Sequence, residues 1–416
     1  MEILIQAFSK IKRVRKQNLN FFVAYIIGLI GSIGRKTFRN LSRFTNIEEH
    51  TFSRQTAKEI DTVGLNAAMI GASKSDGDIL IGAQDATFVP KAGKKTHGLD
   101  YFWYGSAGVV EKGLEADTIG IVRIDKDRNK EGYGLSVKQT PANPTPYAQR
   151  KKKKKGDVTR IDFYLEHLLS VLPQLQELHI KHVAVDNLLA NDKYVNGAVA
   201  AGIHVVSKGR KNMQLKRLYT GPQKSRGRPR KFDTSRIRHE DFEKSSVISF
   251  VDEDGHKIEF RECIGHSVAL KREIKVVLVR KYVNANTYGE AYLFSTDLQL
   301  SALDIYTYYT ARFQIEFVFR DAKNFTGFID CQSRDPRRIQ YHFNASITAL
   351  NVAKLQDRSL QVAASIHAPF SMANWTRKFI VDFIINRFID VFGLDKLAIK
   401  SNPLYKEVLA FGSIMH

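Results

Sequence analysis

Cysteine is almost missing from this chain: Cys263 and Cys331 are the only 2 in 416 residues, and no C-x-x-C pair occurs. That excludes a disulfide framework, argues against a structural zinc site and suits a reducing compartment. Long apolar runs are missing too. The best candidate, FFVAYIIGLIGSIG at 21–34, is too short to span a bilayer and ends at Arg35-Lys36. No small-x-small cleavage site precedes the next charges, so a buried helix is expected there rather than a signal-peptide core. No internal repeat is visible. Acid is scarce relative to base: 43 Asp and Glu against 64 Lys and Arg give a formal net charge of +21. Such an excess implies a polyanionic partner, and with the membrane option weakened that partner is nucleic acid. The remainder is ordinary for a globular protein, with 43% hydrophobic and 11% aromatic residues and length for two or three domains.

Residues 1–75 read as helical. SKIKRVRKQ is a basic amphipathic opening, and the apolar run supplies a core helix. Beyond it a helix with Phe38, Leu41 and Phe44 on one face meets a break at Thr45-Asn46. A second helix carries Thr51, Ser53, Arg54 and Gln55. This is the shape of a helix-turn-helix DNA reader, and of any small helical bundle. From Ile79 the period changes to that of strands. ILIGAQDATFVP, GLEADTIGIVRID and YGLSVKQT suggest an antiparallel meander. A Pro-rich loop at 141–157 ends in the lysines 151–155, a solvated run that adds to a phosphate-facing surface. A helix broken at Pro173, a strand ending at Asp186, a helix capped by Asn191 or Asp192 and another strand follow. Residues 210–301 interrupt that order as a β-rich insertion, with a hairpin turn expected at Asp254-Gly255. The C-terminal region, 357–416, is helical, and FIVDFIINRFIDVF (379–392) is apolar enough to pack on the body or on a second subunit.

YYTARFQIEFVFRDAK, residues 308–323, contains neither Gly nor Pro and reads as one helix. Steps of three, four and seven residues place Tyr309, Arg312, Glu316 and Lys323 on one stripe, with Arg320 joining it. Such a stripe suits a site that holds metal and phosphates together; an ion-paired surface helix fits it as well. Upstream, Asp85 lies inside an apolar strand and Asp186 at the end of another, where a carboxylate needs a partner or a metal. Asp85, Asp186 and Glu316 come from separate elements in a ribonuclease H-like order. Brought to one point, they would meet the requirement for a pair of Mg²⁺ ions acting on a phosphodiester.

The Tyr-x2-Arg-x3-Glu-x6-Lys spacing of Tyr309, Arg312, Glu316 and Lys323 resembles that of a subgroup of DDE insertion-sequence transposases. QDATFVPKAGKKTHGLDYFW, HVAVDNLLANDKYV and RFQIEFVFRDAKNFTG resemble the family's three acidic segments, and the insertion falls where the family carries one. The resemblance implies an α/β, ribonuclease H-like catalytic domain at 76–209 and 302–356. It implies Asp85, Asp186 and Glu316 as catalytic metal ligands for two Mg²⁺ or Mn²⁺ ions. Tyr309, Arg312 and Lys323 would hold the phosphates of transposon ends. KSRGRPRK resembles an AT-hook core through Gly227, Arg228, Pro229 and Arg230, suited to an A·T minor groove or to a plain basic loop. Trp103 and Tyr104, near Asp85, are expected to serve core packing, with stacking on a displaced base as the alternative. The implied partners are double-stranded DNA, as terminal inverted repeats and target, and a second copy in a DNA-bound homodimer. The implied setting is a prokaryotic cytoplasm, at the nucleoid. A metal-dependent nuclease or junction resolvase of the same fold, or a catalytically silent DNA-binding relative, are the competing readings.

Overall fold

The computed structural model describes residues 2–9, 16–143, 158–252, 255–284, 287–364 and 368–412. The lysines at 151–155, most of SKIKRVRKQ and Asp254 lie outside these residues. Five helices come first: α1 (Glu2–Ser9), α2 (Lys16–Gly31), α3 (Phe38–Phe44), α4 (Glu49–Gln55) and α5 (Thr62–Ala72). Four strands follow: β1 (Ile79–Pro90), β2 (Asp100–Tyr104), β3 (Val109–Ile124) and β4 (Lys130–Gln139). Helices α6 (Arg160–Ser170) and α7 (Leu172–Glu177), split at Pro173, lead to β5 (His182–Val185), α8 (Asp192–Ala200) and β6 (His204–Gly209). The 210–301 stretch contains β7 (Leu215–Leu218), β8 (Phe232–Ile237), α9 (His239–Glu243), β9 (Ile248–Val251), β10 (Lys257–Ser267), β11 (Arg272–Asn284) and β12 (Thr287–Ser295). Six helices close the chain: α10 (Ala302–Ala311), α11 (Gln314–Phe325), α12 (Pro336–Ala364), α13 (Met372–Phe392), α14 (Lys396–Ser401) and α15 (Leu404–Leu409).

The strands form one mixed 12-stranded sheet in the order β2-β3-β1-β5-β6-β12-β11-β10-β7-β8, with β4 added to β3 and β9 to β10. β1, β3 and β4 make the expected antiparallel meander. β5 and β6 then join in parallel, which completes a ribonuclease H-like sheet. Strand β2, within the segment after Asp85, was not anticipated. The insertion is no separate sheet either: β12 pairs antiparallel with β6 and carries the hydrogen-bond ladder onward. An unpaired β6 edge would leave backbone groups open, and the inserted strands cover it.

Alternating strand residues serve two cores. Leu80, Ile119, Ile121, Val183, Val185 and Val205 pack toward α6 and α8 on one face. Ile81, Ala83, Val122, Ala184 and Val206 pack on the other against Ile305, Ala311, Ile315 and Phe319 of α10 and α11. The outer edge of β4 is closed by α12. Asn344 exchanges two bonds with Val137, both 3.0 Å, and Asn351 two with Gly134, at 3.0 and 2.7 Å. Lys354 donates to the Gly132 carbonyl at 2.8 Å. Side-chain amides two turns apart thus stand in for a neighbouring strand.

The 21–34 run becomes α2, and Phe22, Tyr25, Ile26, Leu29 and Ile30 are fully buried. Among the described residues no helix is long and apolar enough to cross a membrane. His342 Nε2 lies 2.6 Å from the Gly327 carbonyl and donates to it, which leaves Nδ1 to accept the Tyr25 hydroxyl at 2.7 Å. Burial holds this imidazole down to about 4, so it is the neutral ring that ties α2 to α12. Helices α3 and α4 pack through Phe38 and Phe52, whose rings stack at 6.0 Å, while Arg54 stays exposed.

Candidate active site

The site begins with strand register. Gly82, Ala83 and Gln84 of β1 stand opposite Val183, Ala184 and Val185 of parallel β5. Continuing by one residue sets Asp85 beside Asp186. Side chains alternate along a strand, so Gln84 and Asp85 point to opposite faces. Gln84 is buried on the α6 side, where it donates to Asp117 at 2.8 Å and to the Tyr164 carbonyl at 2.9 Å and accepts the Tyr194 hydroxyl. His167 meets Asp117 at 2.6 Å and Ser136 at 2.9 Å. This serine–histidine–aspartate row has the connectivity of a hydrolase triad. Its members are at most 3% exposed, so it reaches no substrate and serves to hold β1 in place.

Asp85 faces α10 and α11. Its Oδ2 accepts Arg312 Nη1 at 2.7 Å and its Oδ1 accepts the Ala86 N–H at 2.8 Å. Arg312 Nη2 reaches Glu316 at 3.4 Å. Asp186 uses Oδ1 to cap its own turn, accepting the N–H groups of Leu188 and Leu189 at 2.9 and 3.3 Å. Burial pushes the Asp85 carboxyl up to about 7; Arg312 opposes the rise, and the Asp186 and Glu316 carboxylates add to it. Tyr309 belongs to the same cluster. Burial raises its hydroxyl, Arg312 counters that, and Asp186 and Glu316 reinforce it.

The 308–323 stretch is not one helix. α10 ends at Ala311 and α11 starts at Gln314. Across the junction the bonds run three residues back, from Phe313 to Thr310, Ile315 to Arg312 and Glu316 to Phe313, at 3.0–3.2 Å. This tighter turn changes the rotation per residue, yet Tyr309, Arg312, Glu316 and Lys323 still gather along β1. It leaves Arg312 nearly buried on Asp85 and puts Glu316 in the first turn of α11, with its side chain 52% exposed. The start of α11 sits directly on β4: a Cβ on Gly132 would stand 2.9 Å from the Gln314 carbonyl oxygen, so glycine permits the approach. Phe313 and Phe317 are 43% and 44% exposed, with the guanidinium groups of Arg312 and Arg320 over their rings at 4.7 and 4.9 Å.

Lys323 donates to Thr87 Oγ1 at 2.7 Å, and burial lowers its pKa. Thr87 was missed in the sequence, although it lies two residues beyond Asp85 on the same strand face. Arg320 bonds Asp321 at 2.9 Å rather than any of Asp85, Asp186 or Glu316. Arg228 and Arg230 lie far along the chain on an exposed loop. Arg230 covers the Tyr219 ring at 4.5 Å and pairs with Asp233 at 3.0 Å. Trp103, expected in the core, is 60% exposed, while Tyr104 stacks on Phe88 at 4.8 Å.

Asp85 and Glu316 flank Arg312 and Asp186 stands beside Asp85, but the three carboxylates do not close to ligand distance around one point. Among the described residues, the group of three histidine, cysteine or carboxylate ligand atoms that all lie within 4.8 Å of one another is His239, Glu243 and Glu290. There Arg280 already bonds both glutamates. The donor set around Asp85 nevertheless suits a hard divalent cation, because the Asp186 and Glu316 carboxylates are near enough to raise the Asp85 pKa and all three residues offer oxygen ligands. A family model described as a transposase DDE domain matches residues 76–352, well over half of the chain. No curated protein matches.

Proposed function

The chain belongs to the transposase DDE domain family, and on that premise we propose that it binds the ends of a mobile DNA element and catalyses their cleavage and strand transfer. The observation that carries this reading is Asp85 beside Asp186 on adjacent parallel strands, with Glu316 brought over them by the tight turn at Arg312. The family implies divalent-metal dependence, and Asp85, Asp186 and Glu316 are the residues that would hold Mg²⁺ or Mn²⁺. Two such ions, when bound, activate a water or 3′-hydroxyl and stabilise the leaving oxygen. The chain's own residues supply orientation. Arg312 aligns Asp85 and offers a planar fork to a phosphate, Lys323 offers a point charge one strand residue-pair away, and Tyr309 adds a hydroxyl or a stacking face. Arg320, Arg228 and Arg230 extend the basic surface. Helices α3 and α4 are the candidate DNA reader, double-stranded DNA is the partner, and a homodimer would handle two ends together.

The test uses duplexes carrying inverted repeats that flank the coding sequence. Wild-type protein with Mg²⁺ should cut and join them, and Asp85→Asn, Asp186→Asn and Glu316→Gln should each lose roughly 100-fold or more of that activity. Near wild-type cleavage by any one variant removes that residue from the ligand set. Cutting without joining would make the protein a nuclease of the same fold.

A further inference from the structure

Strand alternation aligns Asp85, Thr87 and Val89 on one face of β1, and the row continues past the strand's end to Lys91. Beside this row lie three lysines. Lys323 donates to Thr87 Oγ1 at 2.7 Å, Lys91 to the Cys331 carbonyl at 2.5 Å and Lys36 to the Ser32 carbonyl. All three acceptors are neutral oxygens. The nearby carboxylate, Asp330, spends Oδ2 on the Lys36 backbone N–H at 2.8 Å. A cleft of about 520 Å³ opens here, lined by Arg35, Lys36, Lys323, Asn324 and Asp330 among others. The backbone is shaped to admit Lys36. Gly327 takes φ +73°, and a Cβ on it would stand 2.3 Å from Lys36 Cγ. Burial lowers the pKa of Lys36, to about 8, and of Lys91 and Lys323 as well. Ammonium groups are costly to hold in such places, and Asp330, the carboxylate that opposes this burial cost, is shared between Lys36 and Lys91.

We propose that this cleft is a phosphate track for duplex DNA, leading the backbone of a bound end from Asp85 past Lys323 and Lys91 to Lys36 and Arg35 beside α3. The proposal rests on the DNA-processing reading above and deepens it by giving the duplex a path between the carboxylates and the N-terminal helices. One carboxylate, Asp330, faces both Lys36 and Lys91, and Lys323 bonds a hydroxyl; a DNA phosphate supplies further anionic oxygen, and the spacing of the cations along a strand and into a cleft suits a polymer better than a single free anion.

The experiment measures binding of full-length protein to a mixed-sequence 30-base-pair duplex in EDTA, so that cleavage plays no part. Affinity is followed against salt for wild type, Lys36→Met, Lys91→Met and the double variant, with Lys271→Met on the far side of the sheet as control. Each cleft variant should lose roughly fivefold to tenfold in affinity at 0.1 M salt and reduce the salt slope by about 0.9, and the double variant about twice that. Lys36→Met should melt at an unchanged or higher temperature, a sign that a structural lysine would not show. Should Lys36→Met fold poorly, Lys91→Met and a Lys36→Arg variant that keeps wild-type slope decide the matter. Duplex binding with unchanged slope in the cleft variants overturns the track alone. Wild-type protein that does not bind duplex at all overturns the DNA-processing reading, and the track with it.

Discussion

The two ends of the sheet treat charge in opposite ways. In the inserted strands the charges close on themselves: Arg280 bonds Glu243 and Glu290, and Glu259 takes Lys257, Arg261 and the Tyr282 hydroxyl. Around β1 they do not. Asp85 and Glu316 share the Arg312 guanidinium, Asp186 stands beside Asp85, and close by Lys323 of α11 and Lys91 past the end of β1 hydrogen-bond neutral oxygens. There the carboxylates outnumber the arginine that pairs with them, and lysines a few residues away hydrogen-bond neutral oxygens. A self-neutralised network stabilises a fold; separated excesses of both signs are arranged for something that carries cations and anions together, as metal-bound DNA does.

Substitution of the arginine at each end should separate the two kinds of network most sharply. Arg312→Ala removes the cation that pairs with both Asp85 and Glu316, so a stability loss of about 3 kcal/mol in urea is expected, together with loss of cleavage. Lys323→Ala, by contrast, should impair cleavage while leaving the melting temperature nearly unchanged. Equal destabilisation with normal activity per folded molecule would make the α10–α11 stretch an ion-pair network only. Arg280→Ala should cost about 2 kcal/mol, less than a fully buried pair because its glutamates are partly solvated, with DNA binding intact. A DNA-binding defect in that variant would erase the contrast.

Ca²⁺, used as a non-catalytic ion, should raise the thermal stability of wild type by up to about 2.7 kcal/mol at 100 times its Kd, and should do much less for Asp85→Asn. Equal stabilisation of both would place the ion elsewhere. The smallest effect concerns Lys36 and its sign is fixed by linkage. Burial brings its folded pKa down to about 8, below the ordinary lysine value of 10.5. Between those values the unfolded chain holds a proton that the folded chain has released, so stability from this residue rises with pH across that window. On the order of 1–3 kcal/mol should separate wild type from Lys36→Met below pH 8, the variant being the more stable, and the gap should narrow toward pH 10.5. A gap that does not change with pH would mean that Lys36 bears no unmatched charge.

Local pattern was enough for much of this molecule. The alternation of ILIGAQDATFVP, the break at Pro173 and the cap at Asn191 specify elements through contacts a few residues apart, and the structure has β1, the α6–α7 split and an Asn191 side chain accepting the Tyr194 N–H at 3.1 Å. Asp85, Asp186 and the Tyr309–Lys323 residues could be singled out because a carboxylate in an apolar strand and a spaced set of charges are visible without a fold. Tertiary structure alone decided the rest. The chain turns tightly at Arg312-Phe313 because that guanidinium is drawn onto Asp85, 227 residues earlier, an attraction no local window contains. The inserted strands extend the sheet because β12 finds the open edge of β6, and α12 closes β4 with Asn344 and Asn351 more than 200 residues downstream. The cleft at Lys36 needs Gly327 and Asp330 from the other end of the chain. Each of these is a pairing whose partners meet only after the sheet has formed, so the sequence by itself determines which groups are available, and the packed sheet determines which of them face one another.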